Sequence, residues 1–303
     1  MFAKKLVELI FFGNYFYAAC AVALAMEANM QMGLPLNPLL FYLLFAAATV
    51  VYYTKAYVTE SKVNTTNPRT LWYQHHHLHA KMSQLVWSLF VIAGGIFYAI
   101  KYYDGLFQIS FLNWLGLLTV PVAAALYYGL SLKPGTGFNL RRNGWLKPFV
   151  IGFVWAGMVT IYPVMFKAIQ TKQAYDVSVF SAWLFIKNWM FITVLCIMFD
   201  IKDYAADHNH HLKTFVVRVG LRKTIFYIIM PLTIAGWASF LIFSLLNHFP
   251  FLRILLNSVP FVLLLMVAYS MHRRKKILYY LIIIDGLMLA KAICGIAGVV
   301  FIH

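Results

Sequence analysis

The sequence predicts an all-α integral membrane protein, a bundle of nine transmembrane helices forming one domain over residues 1–303. Three observations lead there. Of the residues, 62% are hydrophobic and 11% charged, a balance that in water would expose more apolar surface than a soluble domain carries. Apolar stretches close to the ~20 residues needed to cross a bilayer recur along the chain. Basic residues gather on alternate connections, as a positive-inside topology requires.

The first segment, 6–27, follows Lys4 and Lys5 and carries Glu8. Its apolar run continues past the small residues YAACA to Ala25, so it reads as a retained helix rather than a cleaved signal peptide. Further segments follow at 36–57, 83–103, 111–131, 148–168, 178–199, 224–246, 257–271 and 277–301, the eighth being the shortest. Pro148, Pro163, Pro231 and Pro260 lie in or at the ends of these helices, which membrane bundles tolerate. Cys20, Cys196 and Cys294 all fall inside apolar segments and read as small hydrophobes, neither disulfides nor metal ligands.

With the N-terminus in the cytoplasm, 19 Lys and Arg lie on inside segments and four on outside loops (Lys101, Lys167, Lys172 and Arg253). The net charge of +16 is therefore mostly topogenic and does not point to nucleic acid. A plasma or inner membrane location follows, with two long cytoplasmic loops at 58–82 and 200–223. These loops follow helices two and six, a spacing consistent with a duplicated helical unit. Lys187, Asp285 and Lys291 are charges that fall inside helices. Asp285 and Lys291 are six residues and about 120° apart on one helix, so each calls for a partner on another helix, unless Lys291 snorkels. Lys187 is a candidate for lining a polar cavity.

The stretch DIKDYAAD, 200–207, holds three of the chain's nine acidic residues. At 3.6 residues per turn, Asp200, Asp203 and Asp207 share one helical face at the cytoplasmic mouth of helix six. Three such carboxylates repel one another unless a cation is present, and Mg²⁺ takes one or two carboxylates together with substrate phosphates. Lys202, Lys213, Arg218, Arg222 and Lys223 stand close by to meet phosphate charge. The competing reading is a solvated helix end whose aspartates pair with those basic residues.

DIKDYAADHNHHLKTFVVRVG resembles the second aspartate-rich motif of the UbiA superfamily of intramembrane prenyltransferases, D-x-x-D-x-x-x-D followed by K/R-T and a V-x-x-G ending. The matching positions are Asp200, Asp203, Asp207, Lys213, Thr214 and Gly220. The nine-helix count is similar too, as is YYGLSLKPG after helix four, where Tyr128 and Lys133 fall at the family's tyrosine and lysine near the diphosphate. After helix two, where the family carries N-D-x-x-D, this chain has YYTKAYVTESKVNTTNPRT, with Tyr53, Thr54 and Tyr57 near the polar positions and Glu60 as its only acid. Asn64, Asn67 and Arg69 resemble the family's trailing asparagine and arginine.

The resemblance implies Mg²⁺-dependent transfer of an isoprenyl group from its diphosphate to an apolar acceptor, aromatic in many members. Asp200, Asp203 and Asp207 would hold the metal, and Lys133, Arg69, Lys213, Asn64 and Tyr128 would contact diphosphate. Metal and basic side chains would take up charge on the leaving diphosphate, and aromatic faces would shelter a carbocation. Two other functions stay open. Histidines at 75, 76, 77 and 79, and at 208, 210 and 211, with His272, are of the kind that membrane di-iron oxygenases and desaturases gather on inside loops, although H-N-H-H is one residue short of the usual spacing. Juxtamembrane histidines at the headgroup region are the favoured explanation of them. A non-catalytic lipid-binding or transport relative would also account for the missing first motif.

Overall fold

A computed structural model describes residues 2–59, 67–128, 144–173, 177–209, 214–273 and 275–301. Among them the secondary structure is all helix, joined by short turns, with no strand. In order, the helices are α1 (Phe2–Phe12), α2 (Tyr15–Gln31), α3 (Leu39–Thr59), α4 (Pro68–His75), α5 (His77–Lys101), α6 (Tyr103–Gln108) and α7 (Phe111–Tyr128), then α8 (Lys147–Thr171), α9 (Val179–Asn209), α10 (Phe215–Val219), α11 (Leu221–Leu246), α12 (Phe251–Ser270) and α13 (Ile277–Val300). Among the described residues seven of these, α3, α5, α8, α9, α11, α12 and α13, are long and apolar enough to span a bilayer, and the bent pair α1–α2 makes at most an eighth. The chain is an integral membrane protein. The expected nine spans are not all matched among the described residues: α7 is described only as far as Tyr128, and the first expected span falls on the bent pair α1–α2.

The break has a local cause. The chain turns by 56° at Gly13–Asn14, where Asn14 adopts the left-handed conformation, φ 67°. A side chain at Gly13 would collide with the Leu9 carbonyl, 2.4 Å from where its Cβ would stand. Two other boundaries differ from expectation for a shared reason. The sixth predicted helix, 178–199, continues through the acidic stretch to Asn209, and the eighth, 257–271, begins six residues earlier at Phe251. Polar residues in both extensions stay helical, and on α12 Asn257 and Ser258 are buried inward rather than facing lipid. The two expected motif loops are largely helical as well, since α4 and the start of α5 occupy 68–82 and α10 lies in 215–219.

Helix α2 and helix α9 form the centre. Helix α2 packs on α3, α13 and the middle of α8, while α9 packs on α8, α11 and the start of α13. The small residues Ala18, Cys20, Ala21, Ala25 and Ala28 are fully or almost fully buried on α2 and let these neighbours approach closely. All three cysteines are free. Helix α5 lies at the edge, with Leu89, Ile92, Ile96 and Ile100 all exposed on it, a surface suited to lipid rather than water.

Three π-helical turns interrupt the spans, at Gly157–Ile161, Thr224–Ile229 and Tyr280–Ile284. The first two each contain the residue four before a proline, Val159 before Pro163 and Tyr227 before Pro231. There the missing N–H and the bulk of the ring disturb the α-helical ladder. The third has no proline near it and runs directly into Asp285.

Candidate functional site

A cavity of about 250 Å³ opens at one end of the bundle between α2, α3, α4, α8, α9 and α13. Helix α9 contributes Ile192, Cys196 and Asp200 to it at four-residue intervals, so one face of that helix runs from apolar to charged along the wall. Asp200 is 4% exposed. Its Oδ1 accepts a hydrogen bond from Lys147 Nζ at 2.9 Å, and its Oδ2 is buried without a partner. Lys147 stands at the start of α8, followed by Pro148, which fits a first helical turn because it needs no N–H there. Lys202 also lines the cavity and pairs with Asp203 at 3.0 Å. Asp203 is therefore close to the site but turned to its rim.

Arg69 borders the cavity from α4 and is buried. Its guanidinium donates to the Phe12 carbonyl at 3.3 and 3.2 Å and to Asn14 Oδ1, and it covers the Tyr57 ring at 4.7 Å. Tyr73 donates its hydroxyl to the same Phe12 carbonyl at 2.9 Å, and burial raises the pKa of that phenol, keeping the donor protonated. Arg69 thus ties the α1–α2 break to α4, a positioning task as much as a source of charge. Asn67 caps α4, its side chain accepting from Arg69 N at 3.0 Å.

Deeper in, aromatic rings form the wall. Tyr17 lies 4.8 Å from Tyr53 and 5.7 Å from Trp155, ring centre to ring centre, and Trp155 Nε1 donates to the Tyr53 hydroxyl. Asp285 and Met288 complete the wall from α13. The arrangement is a cationic and carboxylate end beneath which aromatic and aliphatic surfaces continue into the bundle.

Of the residues singled out from sequence, Asp200, Arg69, Tyr53, Tyr57, Asn67 and Lys202 come together in this cavity, and Asp203, paired with Lys202, lies beside it. The backbone of Asp207 continues α9 and that of Tyr128 ends α7, but their side chains fall outside the described atoms; Asn64, Lys133 and Lys213 lie outside the described residues altogether. Sequence reasoning missed Lys147, which it counted only as a topogenic charge, and the aromatic partners Tyr17 and Trp155 of Tyr53. Asp285 carried a signal, an acid inside a span, but nothing tied it to Asp200. Lys187 rests on the rings of Trp183 and Phe240, 5.1 and 5.7 Å away, instead of lining this cavity.

The Mg²⁺ implied by the resemblance can be tested against this donor set. The orphaned Asp200 Oδ2, with Asp203 one turn further on, offers the one or two carboxylate ligands that Mg²⁺ takes when phosphates supply the rest. Among the described residues no three His, Cys, Asp or Glu side chains converge, so an all-protein metal cage is not what these residues build. Two of the first histidine group contact their own helix turn: His75 and His76 Nδ1 lie 2.8 and 2.9 Å from the Leu71 and Trp72 carbonyls. His210 and His211, and the side chain of His208, fall outside the described atoms. Comparison of the chain with protein-family models, curated proteins and solved structures finds no match.

Proposed function

We propose that this membrane protein is a divergent intramembrane prenyltransferase of the UbiA type, binding an isoprenyl diphosphate at the Asp200 end of the cavity and passing the prenyl group to an apolar acceptor. One observation carries the reading: a single cavity holds Asp200 with a free buried oxygen, the cations Lys147, Lys202 and Arg69, and an aromatic wall directly below. Lys147 and Lys202 would meet diphosphate oxygens with charge-assisted hydrogen bonds. Asp200 and Asp203 would hold Mg²⁺, which supplies Lewis-acid charge neutralisation to the departing diphosphate when bound. The faces of Tyr17, Tyr53 and Trp155 would stabilise positive charge on the allylic carbon. Ile151, Ile192 and Leu195 give the isoprenoid chain an apolar surface and exclude water from the reacting carbon.

The test is turnover in nanodiscs: the protein, Mg²⁺, geranylgeranyl diphosphate and a total membrane lipid extract as acceptor source, with inorganic diphosphate and prenylated products read by mass spectrometry. Both products rising together is the expected result. Neither rising above a protein-free control would contradict the reading.

A further inference from the structure

Asp285 is 1% exposed and lines the cavity from α13, where the Tyr17 hydroxyl faces its carboxyl but neither oxygen has a hydrogen bond of 3.5 Å or less. An acid inside a membrane bundle is expensive, and buried polar groups are normally well satisfied, so a carboxyl held only loosely by Tyr17 and facing a cavity points to something that enters the cavity. On α13 it follows Ile277 and Leu281, which line the same cavity, at four-residue steps. That places it about 12 Å deeper along the helix than Ile277. Asp200 and Asp285 thus face one space from two different helices, one beside the cations and one beyond the aromatic wall. Ionisable groups within electrostatic reach of Asp285 include Tyr17 on α2, Arg69 on α4 and the thiols of Cys20 and Cys196. Arg69 is already engaged by the Phe12 carbonyl and Asn14.

The backbone adds a second observation. The π turn at Tyr280–Ile284 ends immediately before Asp285, and unlike the other two it has no proline to cause it. Such turns widen the helix, change the facing of the side chains that follow, and recur at functional sites.

We propose that Asp285 is the catalytic proton acceptor for the second substrate, which docks a hydroxyl group on its carboxylate. The proposal rests on the Asp200 end being the diphosphate site. In the step, the bond between the allylic carbon and the diphosphate oxygen breaks, and its electron pair leaves with diphosphate. The acceptor supplies the pair for the new bond to that carbon, from the oxygen of an alcohol or from a ring carbon of a phenol through its keto tautomer. In either case the O–H proton passes to Asp285. The substrate class is therefore O–H acceptors with apolar bodies.

Wild type, Asp285→Asn and Asp285→Glu would be compared in nanodiscs after matched thermal unfolding. Two readouts are taken: binding of a non-hydrolysable geranylgeranyl thiolodiphosphate, and prenyl transfer to 4-hexylphenol, to 1-decanol and to membrane lipid extract. Asp285→Asn should keep analogue affinity within about twofold and lose transfer by about 100-fold or more, in line with removing a general base, with part of it restored in Asp285→Glu. Transfer to the phenol alone or the alcohol alone would identify the acceptor subclass. Undiminished transfer by Asp285→Asn, loss of analogue binding in that variant, or transfer by wild type to no O–H acceptor would each overturn the assignment while leaving the diphosphate site standing. Wild type that fails to bind the analogue would remove the diphosphate reading and this assignment together.

Discussion

Glu27 and Lys291 meet at 2.6 Å with side chains 1% and 6% exposed, an ion pair buried between α2 and α13. Gln31 donates to Glu27 at 3.0 Å and to Asn257 at 3.2 Å, extending the network to α12. A carboxylate left alone there would be costly, so Glu27→Ala should destabilise the protein by roughly 3–5 kcal/mol, and the double change Glu27→Gln with Lys291→Met should recover most of that loss. Chemical denaturation in detergent reads both; equal losses in single and double variants would show that the pair carries no such penalty. This pairing explains what the sequence could and could not reveal about its charged residues. Six residues on one helix separate Asp285 and Lys291 by about 120°, which ruled out their pairing with each other. The actual partner of Lys291 lies 264 positions away, a relation that only the packing of α2 against α13 creates. Lys147 was hidden for a different reason: a lysine where a loop meets a span looks like any orientation signal until Asp200 is found opposite it.

Apolar runs made the seven spanning helices legible, and helical periodicity placed Asp200 and Asp203 on one continuing helix, as α9 shows. Periodicity does not say which way a helical face points, and so it treated Asp200 and Asp203 alike although one is buried on the cavity wall and the other turns to Lys202. The α1–α2 break carried a signal in its Gly-Asn pair, yet the bend depends on Arg69 and Tyr73 arriving from α4. Arg69→Lys should therefore lower the unfolding midpoint by several degrees, since an ammonium cannot span the Phe12 carbonyl and Asn14 while covering Tyr57. Wild-type behaviour of Arg69→Lys would mean that charge alone suffices at the joint. Close packing of α13 on α2 gives a parallel case. A Cβ at Gly295 would stand 2.4 Å from Glu27 Oε1, so Gly295→Leu should separate the two helices and lower thermal stability more than Gly286→Leu, where no atom stands within 4 Å. Equal effects of the two leucines on the melting temperature would refute this.

Over the whole molecule, the excess of basic residues on one set of connections predicts that the cavity opens to the cytoplasm. With the native cysteines replaced by serine, Lys202→Cys should react with an impermeant maleimide only in inside-out vesicles and Lys172→Cys only in right-side-out ones; the reverse pattern would invert the orientation. Helices α2, α3, α4, α8, α9 and α13 together line the cavity at Asp200, whose charged rim and aromatic interior suit the amphipathic diphosphate proposed above. The missing acids after helix two were legible, but their consequence was not, because the cations that border the cavity come from α4, α8 and α9 rather than from a second acidic motif. The most direct measurement is equilibrium binding of geranylgeranyl thiolodiphosphate to purified protein, with Mg²⁺ and then with chelator, in wild type and Asp200→Asn. Saturable binding that weakens at least tenfold on chelation and is equally weak in Asp200→Asn is expected. Binding that ignores both Mg²⁺ and Asp200, or no binding at all, would show that this cavity is not a metal-assisted diphosphate site.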